Sequence, residues 1–288
     1  MSKYLDPTID LTFKKVFGTH KNLVMSLLNA MLPLPDKCQI EELEYIDPEQ
    51  IPENPTKKYS IVDVKCKDNK GRYFIVEMQT CWNSAFFRRA LYNSTQTYST
   101  QLDRADTYNR LRNVYALSIV NDIAFPKYDN EYIQEYYITN KNHTDDRRND
   151  IVLVFVELPK FNPSNKSDKK MLDLWMKFLT EINENTKEVD ADLLKTPETV
   201  EALGLMERAA FTDAELELYR KQRLDEITQR TIQENLLEKG REKGRAEGRA
   251  EGEKNAKLDM ARKMKSMQMP VENIVAISGL SKEEIENL

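Results

Sequence analysis

The chain has 288 residues, 40% of them hydrophobic, enough for one substantial core or a core with a smaller appendage. Its net charge of −5 excludes a global basic field, so any nucleic-acid binding must come from local basic clusters or from bound cations. Three separated cysteines and two histidines argue against a zinc site or a disulfide framework. No apolar leader opens the chain, and no run of about 18 apolar residues is long enough to span a bilayer. The expectation is a cytoplasmic protein with no membrane partner.

In chain order, Phe13, Val16 and Phe17 recur at helical spacing behind Asp10, a candidate N-cap, and Asn22 to Leu32 continues the pattern. A proline-rich, charged loop follows, with a short strand expected near Ile40 to Tyr45. The runs Tyr59 to Lys67 and Tyr73 to Thr80 flank Asp68-Asn69-Lys70-Gly71 and predict a hairpin. Ser84 to Arg112 lacks proline and glycine and is loosely helical. Val114 to Val120 and Ile151 to Leu158 are nearly continuous apolar runs, as strands buried on both faces require. Glu131 to Thr139 is a candidate edge strand. This order predicts an α/β domain on a mixed sheet.

Beyond Pro163 the pattern turns helical, with Leu172, Trp175, Met176 and Leu179 as its apolar stripe. The chain therefore divides into a core over 1–163, a helical region over 164–235 and a tail over 236–288. In the tail, Gly240, Gly244, Gly248 and Gly252 recur every fourth residue. Each costs a helix about 1 kcal/mol relative to alanine. Two readings stay open: a helix whose glycine stripe lets two subunits approach closely, or a solvated linker. The final segment reads as two short helices, with Ser281 and Glu284 spaced as a capping box.

The hairpin carries the chemistry. Side chains alternate along a strand, so Glu77 and Gln79 share a face, and a turn centred on Lys70 sets Asp63 opposite Glu77. Asp63 and Lys65 belong to that face, with Ile61 and Ile75, whereas Val62, Val64, Cys66, Phe74, Val76 and Met78 fill the other. Two carboxylates this close need a shared proton or a cation between them. A hard ion such as Mg²⁺ accepts one or two carboxylates and keeps several waters. Taken alone, the D-x13-E-x-Q spacing suits an ordinary two-faced sheet with solvated polar residues better than an active site.

The ordered set DPTIDLTFKKVFG, VDVKCKDNKGRYFIVEMQT, FFRRALYNSTQTYSTQL, VYALSIVND and the Gly-rich tail ending SGLSKEEI resembles the Rpn-type family of recombination-promoting nucleases and transposase-like proteins, within the PD-(D/E)XK superfamily. The resemblance covers nearly the whole chain. It implies a restriction-endonuclease-like mixed-sheet core with a helical C-terminal extension. The implied activity is metal-dependent DNA endonuclease chemistry, with Mg²⁺ or Mn²⁺ held by Asp63 and Glu77. Gln79 stands where the superfamily has lysine, as is typical of the family, and Lys65 is a candidate to compensate for the missing cation. Asp10 and Lys14 form either a surface i,i+4 pair or, by analogy with similar folds, bring an accessory acid to the metal. Arg88, Arg89, Tyr92 and Gln96, early in the helix after the hairpin, are either a solvated face or the contact to the DNA backbone. Two other classes remain open: a non-catalytic DNA-binding or regulatory module, and a structural oligomer. Homo-oligomerisation through the tail is the expected assembly.

Overall fold

A computed structural model describes residues 3–50, 60–164 and 167–288. Two compact units divide at Glu226/Ile227. The first opens with α1 (Asp10–Phe17) and α2 (Lys21–Met31). Their apolar positions, Phe13, Val16, Phe17, Leu23, Leu27 and Leu28, are fully buried. Asp10 is not the N-cap: Ile9 takes that place without a side-chain bond, and the Asp10 carboxylate turns instead to Lys14 one turn on.

The strands are β1 (Leu43–Tyr45), β2 (Glu49–Gln50), β3 (Ser60–Ile61), β4 (Val64–Asp68), β5 (Tyr73–Gln79), β6 (Val114–Val120), β7 (Ile133–Asn140) and β8 (His143–Glu157), with α3 (Ser84–Ser99) between β5 and β6. Tyr59, the first residue of the expected hairpin, lies outside the described residues. Six strands form one sheet in the order β1-β4-β5-β6-β8-β7. β5, β6 and β8 run parallel to one another, and β1, β4 and β7 run antiparallel to their neighbours. The sheet is therefore mixed, as expected.

All seven residues of β6 are buried. The reason is coverage of both sheet faces. On one face Val64, Phe74, Val76, Leu117 and Val154 join the core of α1 and α2. On the other, Ile75, Ala116 and Phe155 pack with Phe86 and Ala90 of α3. Val62 departs from expectation. It belongs with Ile75 and not with Val64, because the chain breaks from β3 to β4 at Val62 and Asp63 and the alternation inverts there. Ile61 is exposed, whereas Ile75 is buried.

β8 starts eight residues earlier than its apolar run. His143 to Asp150 is exposed and pairs in part with β7 as a protruding ribbon, held by cross-strand pairing with no buried face to mark it in sequence. On the helical side, α4 (Lys170–Glu181) and α5 (Pro197–Met206) pack against α2. Trp175 is wholly buried and its indole N–H donates to Ser26 at 3.1 Å. This helical segment thus completes the core beneath the sheet.

Helix α6 (Asp213–Ser266) continues through all four tail glycines. The second unit holds the rest of α6 with α7 (Val271–Ser278) and α8 (Lys282–Glu286). Ala261, Ile274, Leu280 and Ile285 form its small core. Gly279 ends α7 at φ +68°, which favours glycine, and Ser281 with Glu284 makes the expected capping box.

Candidate active site

The turn sets the geometry. Asp68 accepts the backbone N–H groups of Lys70 and Arg72 at 3.0 and 2.8 Å and the Arg72 Nε–H at 2.7 Å. Gly71 reaches φ +82°, a conformation side chains disfavour. The ladder then runs Lys67↔Tyr73, Cys66↔Phe74, Lys65↔Ile75 and Val64↔Val76. It stops there, so Asp63 is the first residue beyond the last pair, level with Glu77. Glu77 and Gln79 occupy the carboxyl end of β5, paired to Ser118 and Val120 of β6.

Asp63 closes the frayed end by accepting the Met78 N–H on Oδ2 at 2.7 Å, while its Oδ1 lies 3.5 Å from Lys14 Nζ. Burial pushes the Asp63 carboxyl up to about 6. The Met78 N–H and the Lys14 charge pull the other way, and Asp10 and Glu77 add to the rise. Lys14 also holds Asp10 Oδ1 at 2.6 Å. Burial works against its charge, but the bonds to Asp10 and the field of Asp63 outweigh it and keep the ammonium more basic than usual. Asp10 thus reaches the site through Lys14, and its Oδ2 accepts the Gln222 amide at 3.2 Å.

Glu77 is buried, and helix α3 satisfies it. Asn93 Nδ2 donates to Oε1 at 2.7 Å and Arg89 Nη2 to Oε2 at 3.0 Å. The same Arg89 nitrogen donates to Gln79 Oε1 at 2.9 Å, and Gln79 Nε2 donates to the Cys81 carbonyl at 2.5 Å. Arg88 is exposed, and Tyr92 and Gln96 are half-buried farther along α3. Lys65 has no bond to Asp63, Glu77 or Gln79 among the described residues. Burial lowers its pKa, and Asp47 is the charge that acts against this.

A family model described as PD-(D/E)XK nuclease family transposase matches residues 7–232. The chain belongs to this family. No curated protein and no solved structure gives a significant match. The six-stranded mixed sheet with helices on both faces fits the PD-(D/E)XK fold, and family membership supports a nuclease or mobile-element role. The matched span holds every candidate site residue and stops short of the tail glycines.

PD-(D/E)XK nucleases typically use divalent metals. Among the described residues no group of three or more His, Cys, Asp or Glu side chains is arranged to hold an ion. The donor set nevertheless fits a hard cation that keeps most of its waters, because such an ion needs only one or two carboxylates. Asp63 and Glu77 both offer oxygen ligands at one end of the sheet. With Asp10, they bring three carboxylates against the two cations Lys14 and Arg89, so the ionised cluster keeps one net negative charge. Among the described residues no helix is long and apolar enough to cross a membrane.

The sequence offers Arg89 either as part of a solvated face or as a contact to the DNA backbone, and it gives no role to Asn93. Its signal was available: a polar residue one turn beyond Arg89, between the buried positions Ala90 and Thr97.

Proposed function

We propose that this protein is a metal-dependent DNA endonuclease that hydrolyses phosphodiester bonds and promotes recombination or serves a mobile element. The observation that carries the reading is the hairpin register, which puts Asp63 and Glu77 level at one end of the sheet with Gln79 beside them. Asp63 and Glu77 would hold Mg²⁺ or Mn²⁺ and are the metal ligands of the proposal. When bound, such an ion supplies Lewis acidity at the phosphate and a lowered pKa for coordinated water.

The chain's own groups do the rest. The Met78 N–H fixes one Asp63 oxygen, leaving Oδ1 to turn toward the cation. Asn93 fixes Glu77 Oε1, so that Oε2, which also accepts Arg89, is the oxygen that would face the cation. Gln79 orients the attacking water, Asp10 and Lys14 tune the charge around Asp63, and Lys65 contributes at longer range. Arg88, Arg89, Tyr92 and Gln96 bind the DNA backbone, a local basic contact on a chain whose overall charge is negative. In the reaction, a water oxygen bonds to phosphorus and one P–O ester bond breaks. The water proton passes to solvent, and the departing alkoxide takes a proton from solvent. We also assign the tail to subunit pairing.

The test is plasmid cleavage with Mg²⁺ or Mn²⁺, wild type against Asp63→Ala. Metal-dependent nicking or linearisation by the wild type and none by the variant is expected. An inert wild type, or equal cleavage by both, overturns the assignment.

A further inference from the structure

We propose that Arg89 is the catalytic cation of this site, reaching from α3 to stabilise the charge that develops on the phosphate; this rests on the nuclease reading above. Three observations converge on it. First, strand position 79, two residues after the buried acid, carries an amide and no charge. The nearest cation on that side of Glu77 is the Arg89 guanidinium, whose Nη2 spans Glu77 at 3.0 Å and Gln79 at 2.9 Å. Second, among the described residues the hydrogen bonds of Arg89 use Nη2 alone. Nη1 and Nε keep donors in the planar fork that matches phosphate oxygens. Third, the head group is held in place. It stacks over the Phe86 ring at 4.5 Å on a side chain still about half exposed, so it is both positioned and open to a substrate.

The other cations do not meet these conditions. Lys14 is committed to Asp10 at 2.6 Å and to Asp63. Lys65 feels the charge of Asp47 and bonds to none of the three site residues among the described residues. Arg88 is exposed, and among the described residues no bond ties it to the acids.

The chemistry requires such a group. As water adds to phosphorus, the phosphate gains negative charge that a preorganised donor stabilises at the moment it forms. Gln79 then has a specific job: its carbonyl oxygen anchors Nη2, and its amide nitrogen is itself anchored on the Cys81 carbonyl. The chain Cys81, Gln79, Arg89 turns a long flexible side chain into a fixed donor.

The experiment follows cleavage at saturating DNA and, separately, DNA binding in EDTA for Arg89→Ala, Arg89→Lys, Arg89→Gln and the double variant Gln79→Lys/Arg89→Ala, each checked by thermal unfolding. Arg89→Ala is expected to lose about 10²–10³-fold in rate at saturation, with DNA affinity in EDTA within about tenfold of wild type. Gln79→Lys/Arg89→Ala, which moves the positive charge onto the strand, is expected to recover a large part of the rate. If Arg89→Ala does not fold, Lys must retain more activity than Gln at position 89. Three results overturn the proposal: an unchanged rate in Arg89→Ala, a loss that vanishes once DNA saturates the variant, or equal rates for Lys and Gln. An active wild type with an unaffected Arg89→Ala removes this inference alone, whereas an inert wild type removes the nuclease reading with it.

Discussion

Asp63 accepts the Met78 amide N–H at 2.7 Å, so a side chain replaces the backbone pair that would have extended the β4–β5 ladder. One carboxylate thereby does two things. It ends the hairpin, and it is fixed beside the strand that carries Glu77 and Gln79. Replacing Asp63 by Ala removes the proposed metal ligand and frees the Met78 N–H together. Asp63→Asn keeps a carbonyl acceptor for Met78 and lowers metal affinity alone. We expect Asp63→Asn to melt no lower than wild type at neutral pH and to be inactive, and Asp63→Ala to melt lower than Asp63→Asn by the net value of one hydrogen bond, about 0.5–1.5 kcal/mol. Wild-type cleavage by Asp63→Asn would remove Asp63 from the chemistry.

The raised Asp63 pKa has a pH signature. Its ordinary value is 3.8 and burial lifts it to about 6. Because the folded value is the higher one, the native state holds the proton more tightly. The stabilisation this gives is therefore present at low pH and is lost as pH rises from about 4 through 6. In the proposed site metal would compete for the same oxygen, so Mg²⁺ or Mn²⁺ binding near pH 5 should release most of a proton and near pH 8 almost none. Calorimetry in buffers of different ionisation enthalpy reads this number directly. Proton release that does not change between the two pH values, or that survives Asp63→Asn, contradicts the assignment.

Gln79 is expected to matter through its oxygen. Gln79→Ala removes the Nη2 anchor and should cost about 10²–10³-fold in cleavage. Gln79→Glu keeps an oxygen for Arg89 and should retain more activity than Ala. Cleavage by Gln79→Ala at the wild-type rate would take this residue out of the mechanism.

Stability also depends on a buried ion pair at the end of β8, whose Glu157 lies in register with Val120 of β6. Lys160 Nζ donates to Glu157 at 2.8 Å and to the carbonyls of Phe125 and Tyr128, both at 2.8 Å, while Glu157 accepts the N–H groups of Ala124 and Phe125. Both side chains are buried. Lys160→Met leaves a buried carboxylate without its cation and should cost about 3–5 kcal/mol. Urea unfolding measures the loss, and a variant within about 0.5 kcal/mol of wild type would show the pair to be dispensable.

The tail prediction concerns assembly. Among the described residues a Cβ added at Gly240, Gly244, Gly248 or Gly252 would meet nothing within 4 Å, so packing among them does not require glycine there. Truncation before Leu236 should leave the first unit folded, since its buried core residues all precede that point. If the tail pairs subunits, the truncated protein is smaller by light scattering and nicks plasmid more than it linearises it. Unchanged mass together with an unchanged product ratio rules the role out.

The sequence by itself determined the local periods and their direct consequences. The apolar run Val114 to Val120 is a strand buried on both faces, the Asp68–Gly71 turn sets the register that brings Asp63 level with Glu77, and Ser281 caps the last helix. These features depend on backbone periodicity and on residues a few positions apart. The tertiary structure alone decided what crosses between layers. The placement of α3 over the sheet brings Arg89 and Asn93 onto Glu77, and α1 brings Lys14 to Asp63. The break before β4 moves Val62 to the other face, and pairing with β7 makes a strand of the polar His143 to Asp150. Alternation along one strand says which face a side chain takes, but not which helix will lie against that face. Only packing of the apolar surfaces fixes that, and it is this packing that set a guanidinium against a buried acid and an amide.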